Sequence, residues 1–257
     1  MKKLTAILIV MMLICSAAVC AQAETFKMGF DAEYPPYTYM GDDGEYTGFD
    51  IEMCKGVCGI LGWDIELIPI NWDTKLISLD AGEIDCVWSG LTIDVISPEE
   101  YTLSFAYSDN SQMILTKEGT GIQSLADLAG KIVGVQLGTS ADILLQNDQA
   151  ELAATFGDLQ RFSDYNVCFT ELMAGSIDAI AIDIGVAAGK IAEYGEEYYM
   201  LDESIASEEY GICFRKDNAE MCEAVEGAFM QLVEDGTYLS LAEKYALDTG
   251  ALCLLNK

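Results

Sequence analysis

Gly138-Thr139-Ser140 lies where an apolar run, Lys131 to Gln136, gives way to a helical pattern reaching about Asp148. Two hydroxyls at a helix start, beside backbone N–H groups without intrahelical acceptors, make a place for an anion. The same residues also read as ordinary N-capping, which needs one hydroxyl. Asp183 ends another apolar run, Ile177 to Ile182, just ahead of a helix from Ile184 to Tyr194. A carboxylate there can hold an ammonium through a charge-assisted hydrogen bond, cap the helix, or do both. Ser89, Gly90 and Thr92 follow a third run, Ile84 to Trp88, and offer hydroxyls plus a backbone that glycine leaves open to close approach. Trp88 is either a flat wall for an apolar or cationic group or a core residue. Asp31 and Tyr34 follow the first run, Thr25 to Phe30, and Glu33 between them faces either a ligand or solvent.

Several chemistries are excluded by what the chain lacks. Its 257 residues contain no His, so a His-containing zinc site is ruled out, and no metal or other cofactor is expected. Neither a nucleophile elbow nor a Walker-type phosphate loop is present. The net charge is −30, a field that repels nucleic acids and polyanions and mildly favours cationic or zwitterionic solutes. Most of that acidity reads as a solvated coat. Cys54, Cys58, Cys86, Cys168, Cys213, Cys222 and Cys253 do not form the dense framework of a small disulfide scaffold. Cys86, Cys168 and Cys213 lie in apolar runs and read as small core residues.

Lys2 and Lys3 precede an apolar run from Leu4 to Cys20, and Ala21-Gln22-Ala23 supplies a small-x-small exit. This is the pattern of a secretory leader, residues 1–23, with a single transmembrane anchor or a lipid-modified Cys15 or Cys20 as the alternatives. Removing it leaves 11 basic residues against 43 acidic, a net charge of −32 on Glu24 to Lys257. No second long apolar segment follows, and a hydrophobic content of 51% lies far above the disordered range.

Strands alternate with helices. Gly48 to Leu61 carries apolar residues at helical spacing, Trp63 to Ile70 reads as a strand, and Asp73 to Leu79 as a helix capped by its Asp. Met221 to Glu234 and Tyr238 to Tyr245 read as C-terminal helices. Such alternation implies α/β layers around largely parallel sheets. Ala81-Gly82-Glu83-Ile84-Asp85-Cys86-Val87 is echoed by Ala174-Gly175-Ser176-Ile177-Asp178-Ala179-Ile180, 93 residues later, which suggests two similar lobes. Ser111 to Lys117 and Glu209 to Lys216 read as strands crossing between those lobes. Lobe 1 is then discontinuous, residues 24–111 plus 209–257, and lobe 2 spans 112–208. The cleft between them is the natural ligand site.

In family order, the chain carries Gly29-Phe30-Asp31-Ala32-Glu33-Tyr34-Pro35-Pro36-Tyr37, Gly48-Phe49-Asp50-Ile51, Gly82-Glu83-Ile84-Asp85 and Trp88-Ser89-Gly90-Leu91-Thr92-Ile93. Val133 to Ser140, Ile177-Asp178-Ala179-Ile180, Tyr210-Gly211-Ile212 and Asp235-Gly236-Thr237-Tyr238 complete the set. The chain thereby resembles the type 2 periplasmic solute-binding proteins, in the polar-amino-acid branch serving ABC importers. The resemblance implies two lobes, each a mostly parallel sheet with one antiparallel strand, flanked by helices and joined by two hinge crossovers. It further implies a monomer, exported to the periplasm or the outer face of the cytoplasmic membrane, that closes on its ligand and delivers it to a permease.

The same resemblance assigns the ligand α-carboxylate to Thr139 and Ser140 and the α-amino group to Asp183. It sets Ser89, Gly90 and Thr92 on the opposite wall and Asp31 and Tyr34 along the side-chain pocket. One departure stands out. The family places an Arg shortly after the Ser-Gly-Leu-Thr turn, to grip the carboxylate, whereas Ile93 to Tyr101 holds no Arg or Lys. Arg161 and Arg215 are the only arginines, and neither fits that position. Either the helix start carries the carboxylate alone, or a distant Lys substitutes, or the ligand is an amine or another solute without a carboxylate. With Asp31, Glu33, Asp94 and Asp183 at hand, a cationic amino acid is a further option. A sensor module on the same lobes and a dehydratase-like enzyme are the remaining alternatives to a transport protein that catalyses nothing.

Overall fold

The computed structural model describes residues 25–195 and 197–255, so the expected leader lies outside the described residues. The chain begins with β1 (Thr25–Phe30) and a small antiparallel sheet of β2 (Glu33–Tyr34), β3 (Thr38–Met40) and β4 (Tyr46–Thr47). Next come α1 (Phe49–Leu61), β5 (Asp64–Pro69), α2 (Lys75–Asp80), β6 (Cys86–Thr92) and β7 (Tyr101–Leu103). After β8 (Ser108–Lys117) follow β9 (Ile132–Gln136), α3 (Ser140–Gln146), α4 (Ala150–Ala153) and β10 (Asp158–Phe162). Then α5 (Tyr165–Ala174), β11 (Ala179–Asp183), α6 (Ile184–Tyr194) and β12 (Tyr198–Met200) lead into β13 (Ala206–Arg215). Helices α7 (Ala219–Glu234) and α8 (Thr237–Lys244) come last.

The main sheet runs β10-β9-β11-β8-β13-β6-β1-β5. Parallel pairing holds β1 to β5 and β6 at one end, and β9 to β10 and β11 at the other. The two crossovers, β8 and β13, occupy the middle and pair antiparallel with each other, Ser108 opposite Tyr210 and Gln112 opposite Ala206. Each is also the antiparallel strand of one lobe, β13 against β6 and β8 against β11. The lobe limits expected near 111 and 209 fall inside these two strands. Strands β6 and β11 are buried at every residue, which is why they read as continuous apolar runs.

The internal echo is physical. Asp85 donates its N–H to Lys27 O (2.8 Å) while its Oδ2 accepts the Lys27 N–H (2.9 Å). Asp178 makes the same pair of bonds to Ile132, each 2.8 Å. Each lobe thus clips the entry of its buried strand to the neighbouring strand with a carboxylate.

Helix α1 turns Phe49, Ile51, Met53, Cys54, Val57 and Cys58 inward, and its buried face belongs to a core that also holds Val225, Phe229 and Leu232 of α7. Cys54, Cys58, Cys86, Cys168, Cys213 and Cys222 are buried thiols outside any disulfide, and burial raises the pKa of Cys86, Cys168, Cys213 and Cys222. The region from Asp73 differs from expectation. A single turn of 3-10 helix, Trp72–Thr74, precedes α2, and no side chain caps it, because the Thr74 hydroxyl donates to Asn71 O instead (3.2 Å). Among the described residues, no helix is long and apolar enough to cross a membrane.

Candidate functional site

A narrow cavity opens between the two lobes. From one side Tyr34, Gly90 and Thr92 line it, and from the other Gly138, Thr139, Ser140 and Asp183. These seven residues were all singled out from sequence. Trp72, Lys75, Leu91 and Val95 complete the lining and were not. The remaining three lie behind it. Trp88 is fully buried in the core, its ring 5.9 Å from Phe229 and 6.5 Å from Tyr107, so the flat wall of the cavity is Trp72 instead. Ser89 Oγ accepts the Asp31 N–H (3.2 Å) and lies 2.5 Å from Thr38 Oγ1. Since Thr38 spends its proton on Asp31 O (2.6 Å), Ser89 donates to Thr38. Asp31 accepts from Glu33 N–H (2.9 Å) and, across the cleft, from Gln136 Nε2 (2.6 Å). Glu33 is exposed and accepts from Asn166 on α5. Asp94 accepts the Glu209 N–H (2.7 Å).

Asp183 is the best-supported anion of the site. Its carboxylate is 3% exposed and does not cap α6. Oδ1 lies within hydrogen-bond distance of Asn110 Nδ2 (2.8 Å), Gln112 Nε2 (2.5 Å) and the Tyr210 hydroxyl (2.7 Å), and Oδ2 of the Tyr165 hydroxyl (3.3 Å). All four donors are neutral side chains, so the charge has no cation among them.

A second carboxylate, Glu208 on β13, is tied into the same network and escaped sequence reading. Its Oε1 accepts from Thr92 (2.7 Å) and Ser140 (3.1 Å) and lies near Asn110 Nδ2 (2.6 Å) and Gln112 Nε2 (2.8 Å). Burial and the charge of Asp183 push it up to about 7. Among the described residues, Glu208 Oε2, Asn110 Oδ1 and Gln112 Oε1 are buried acceptors without a donor. Unpaired buried acceptors of this kind favour a further hydrogen-bond donor nearby.

The Gly138–Ser140 turn is committed to the fold. Thr139 caps α3 by accepting the Asp142 N–H (3.3 Å) and donates to Gln136 O (2.8 Å), while Ser140 joins Gln112 to Glu208. Gly138 has φ +72°, and a Cβ there would lie 2.6 Å from Asp73 Cα across the cleft. Only glycine lets the lobes meet at that point. Gly90 has φ +51°, and its N–H donates to Asp50 Oδ2 (2.6 Å), which also accepts from Tyr107 (2.9 Å). Burial pushes Asp50 up to about 7. Lys75, 6% exposed, donates from Nζ to Trp72 O (3.2 Å) and, across the cleft, to Gly138 O (2.6 Å).

The chain belongs to the bacterial extracellular solute-binding proteins, family 3, whose family model matches residues 26–248. It is 33% identical over 224 residues to the L-cystine-binding protein TcyJ of Escherichia coli (strain K12), covering 86% of this chain and 82% of that one. It is 30% identical over 224 residues to an arginine-binding extracellular protein of Bacillus subtilis (strain 168), covering 85% and 84%. The histidine-bound substrate-binding protein of an ABC uptake transporter from Streptococcus pneumoniae superposes with a TM-score of 0.82 at 27% identity, covering 86% of this chain and 92% of that one. Membership confirms the two-lobed fold and the extracytoplasmic location that the motifs implied.

Proposed function

We propose that this protein is the monomeric capture component of an ABC importer and takes a polar amino acid into the cavity between its lobes. The ligand enters while the lobes are apart, and closure brings Gly138, Thr139, Ser140 and Asp183 against Tyr34, Gly90 and Thr92. Closure is driven only by contacts that exist in the closed state. Asp183 receives the ammonium group, and the closed form docks on a permease. No catalytic step is assigned.

The observation that carries this reading is Asp183. It is a buried carboxylate facing an inter-lobe cavity, and every partner it has is neutral. Burying such a charge is costly unless it is paired, and a ligand cation supplies the pair. The relatives named for cystine, arginine and histidine binding support an amino acid as that ligand. The direct test is mass spectrometry of whatever leaves the purified protein on denaturation, followed by calorimetry with the 20 common amino acids and cystine. An amino acid in the extract that binds again with a rise in melting temperature is the expected result. A protein that carries none and binds none overturns the reading.

A further inference from the structure

Two opposite charges face this cavity, and among the described residues neither has a counter-ion. Asp183 is one. Lys75 is the other, the one cationic side chain in the lining among the described residues. Its aliphatic stem leaves the start of α2, and Nζ lies 4.7 Å from the centre of the Trp72 ring. Two of its three ammonium protons go to the carbonyls of Trp72 and Gly138. Asp73, Asp142, Asp31 and the Cys213 thiol act on it from a distance, and among the described residues none forms an ion pair with it. Left so, the ammonium is pushed down to about 8 by burial. A buried cation held by two carbonyls and one ring has a proton and most of its charge still unanswered.

We infer that Lys75 is the group that receives the ligand's carboxylate, in place of the arginine absent from Ile93 to Tyr101. This rests on the amino-acid reading above and narrows it: the ligand carries a free carboxylate as well as a cation. The two walls then divide the zwitterion between them, Asp183 taking the ammonium and Lys75 the carboxylate. Lys75 also reaches Gly138 across the cleft, so the carboxylate is gripped where the lobes meet. A decarboxylated amine satisfies Asp183 and leaves Lys75 buried and unpaired, and so it is rejected.

The test uses matched pairs in calorimetry on the whole protein: L-arginine with agmatine, L-histidine with histamine, L-cystine with cystamine. Wild type is expected to prefer an acid over its amine by roughly 10–100-fold, the worth of one charge-assisted hydrogen bond. Lys75→Met should erase that preference, weakening the acid and leaving the amine within about threefold. If Lys75→Met loses acid and amine equally, or keeps the preference, the assignment to Lys75 is wrong while the amino-acid reading stands. If wild type binds no member of any pair and no other amino acid, both fall together. Should Lys75→Met fail to fold, Lys75→Arg decides. The wild-type preference should decay as pH rises through 8, and the arginine variant should hold its preference there. Identical pH profiles for the two would overturn the inference.

Discussion

The Tyr210 hydroxyl donates to Asp183 Oδ1 over 2.7 Å, and Tyr34 Oη stands 2.8 Å from that same hydroxyl. Each phenol has one proton, so with Tyr210 committed to Asp183, Tyr34 must donate to Tyr210. A residue of lobe 1 thereby steers the carboxylate that ends the buried strand of lobe 2. Tyr210→Phe removes one donor from Asp183 and the acceptor of Tyr34. The expected cost is about 1–3 kcal/mol of stability by urea denaturation, with ligand affinity falling roughly tenfold in calorimetry.

Asp183→Asn keeps the shape and removes the charge. The amide oxygen can keep the three donors on Oδ1, while the NH2 faces the Tyr165 hydroxyl, which must turn to accept. Affinity for an amino acid should fall at least about 10–100-fold. An amino acid ester, which keeps its ammonium, should be weakened by the same factor. An unchanged affinity for either would remove Asp183 from the site.

Acidity should stabilise this protein over part of the pH range. Asp50 and Glu208 are both raised to about 7, against roughly 4 in an unfolded chain. The folded state therefore holds more protons than the unfolded state between those values. The stability these two groups contribute is complete below about pH 4 and is lost as pH rises through 7. Urea midpoints should be higher at pH 5 than at pH 8. The difference should shrink in Asp50→Asn and in Glu208→Gln. A midpoint that climbs across this interval in wild type and in both variants alike would contradict the assignment.

Much of the fold was legible because its signals are local. Strand β1 and helix α6 have the bounds their patterns give, Thr25–Phe30 and Ile184–Tyr194. What escaped depends on distant partners or weak patterns. Strand β10 is an edge strand with no fully buried residue, so its sequence shows no apolar alternation. Helix α5 did carry readable marks, an Asp164 side chain accepting the Val167 N–H (2.9 Å) and Gly175 at φ +75°, and these could have located it. Glu208 lies in a stretch, Ser207-Glu208-Glu209, that reads as solvated. It is buried because β8 and β13 pair and bring Asn110, Gln112 and Ser140 around it. Lys75 offered one clue, a lone cation heading a short apolar helix, but its place in the cavity follows from the lobes meeting.

That meeting predicts a sensitive glycine. In Gly138→Ala, the new methyl group would stand 2.6 Å from the Asp73 backbone, at a φ that alanine adopts at a cost of about 1–2 kcal/mol. Backbone cannot swing aside as a side chain can. The variant should fold, bind ligand more weakly, and remain expanded in small-angle scattering when ligand is added, whereas wild type contracts. Contraction equal to wild type would show that the lobes need not touch at Gly138.

The crossover strands have a bearing on the order of events. Rotation moves an atom in proportion to its distance from the axis. Asn110, Gln112, Glu208 and Tyr210 all sit on β8 or β13, the two strands that cross between the lobes. Under the proposed closure these four side chains move least, while Thr92 and Tyr34 on one lobe and Ser140 and Asp183 on the other close around them. The bond from Lys75 to Gly138 spans two segments that no strand pairing joins, so the proposed opening would break it. Capture would then proceed in two stages, with the positive end of the solute sampled first beside the crossover strands. The negative end would be inspected last, as a condition for staying shut.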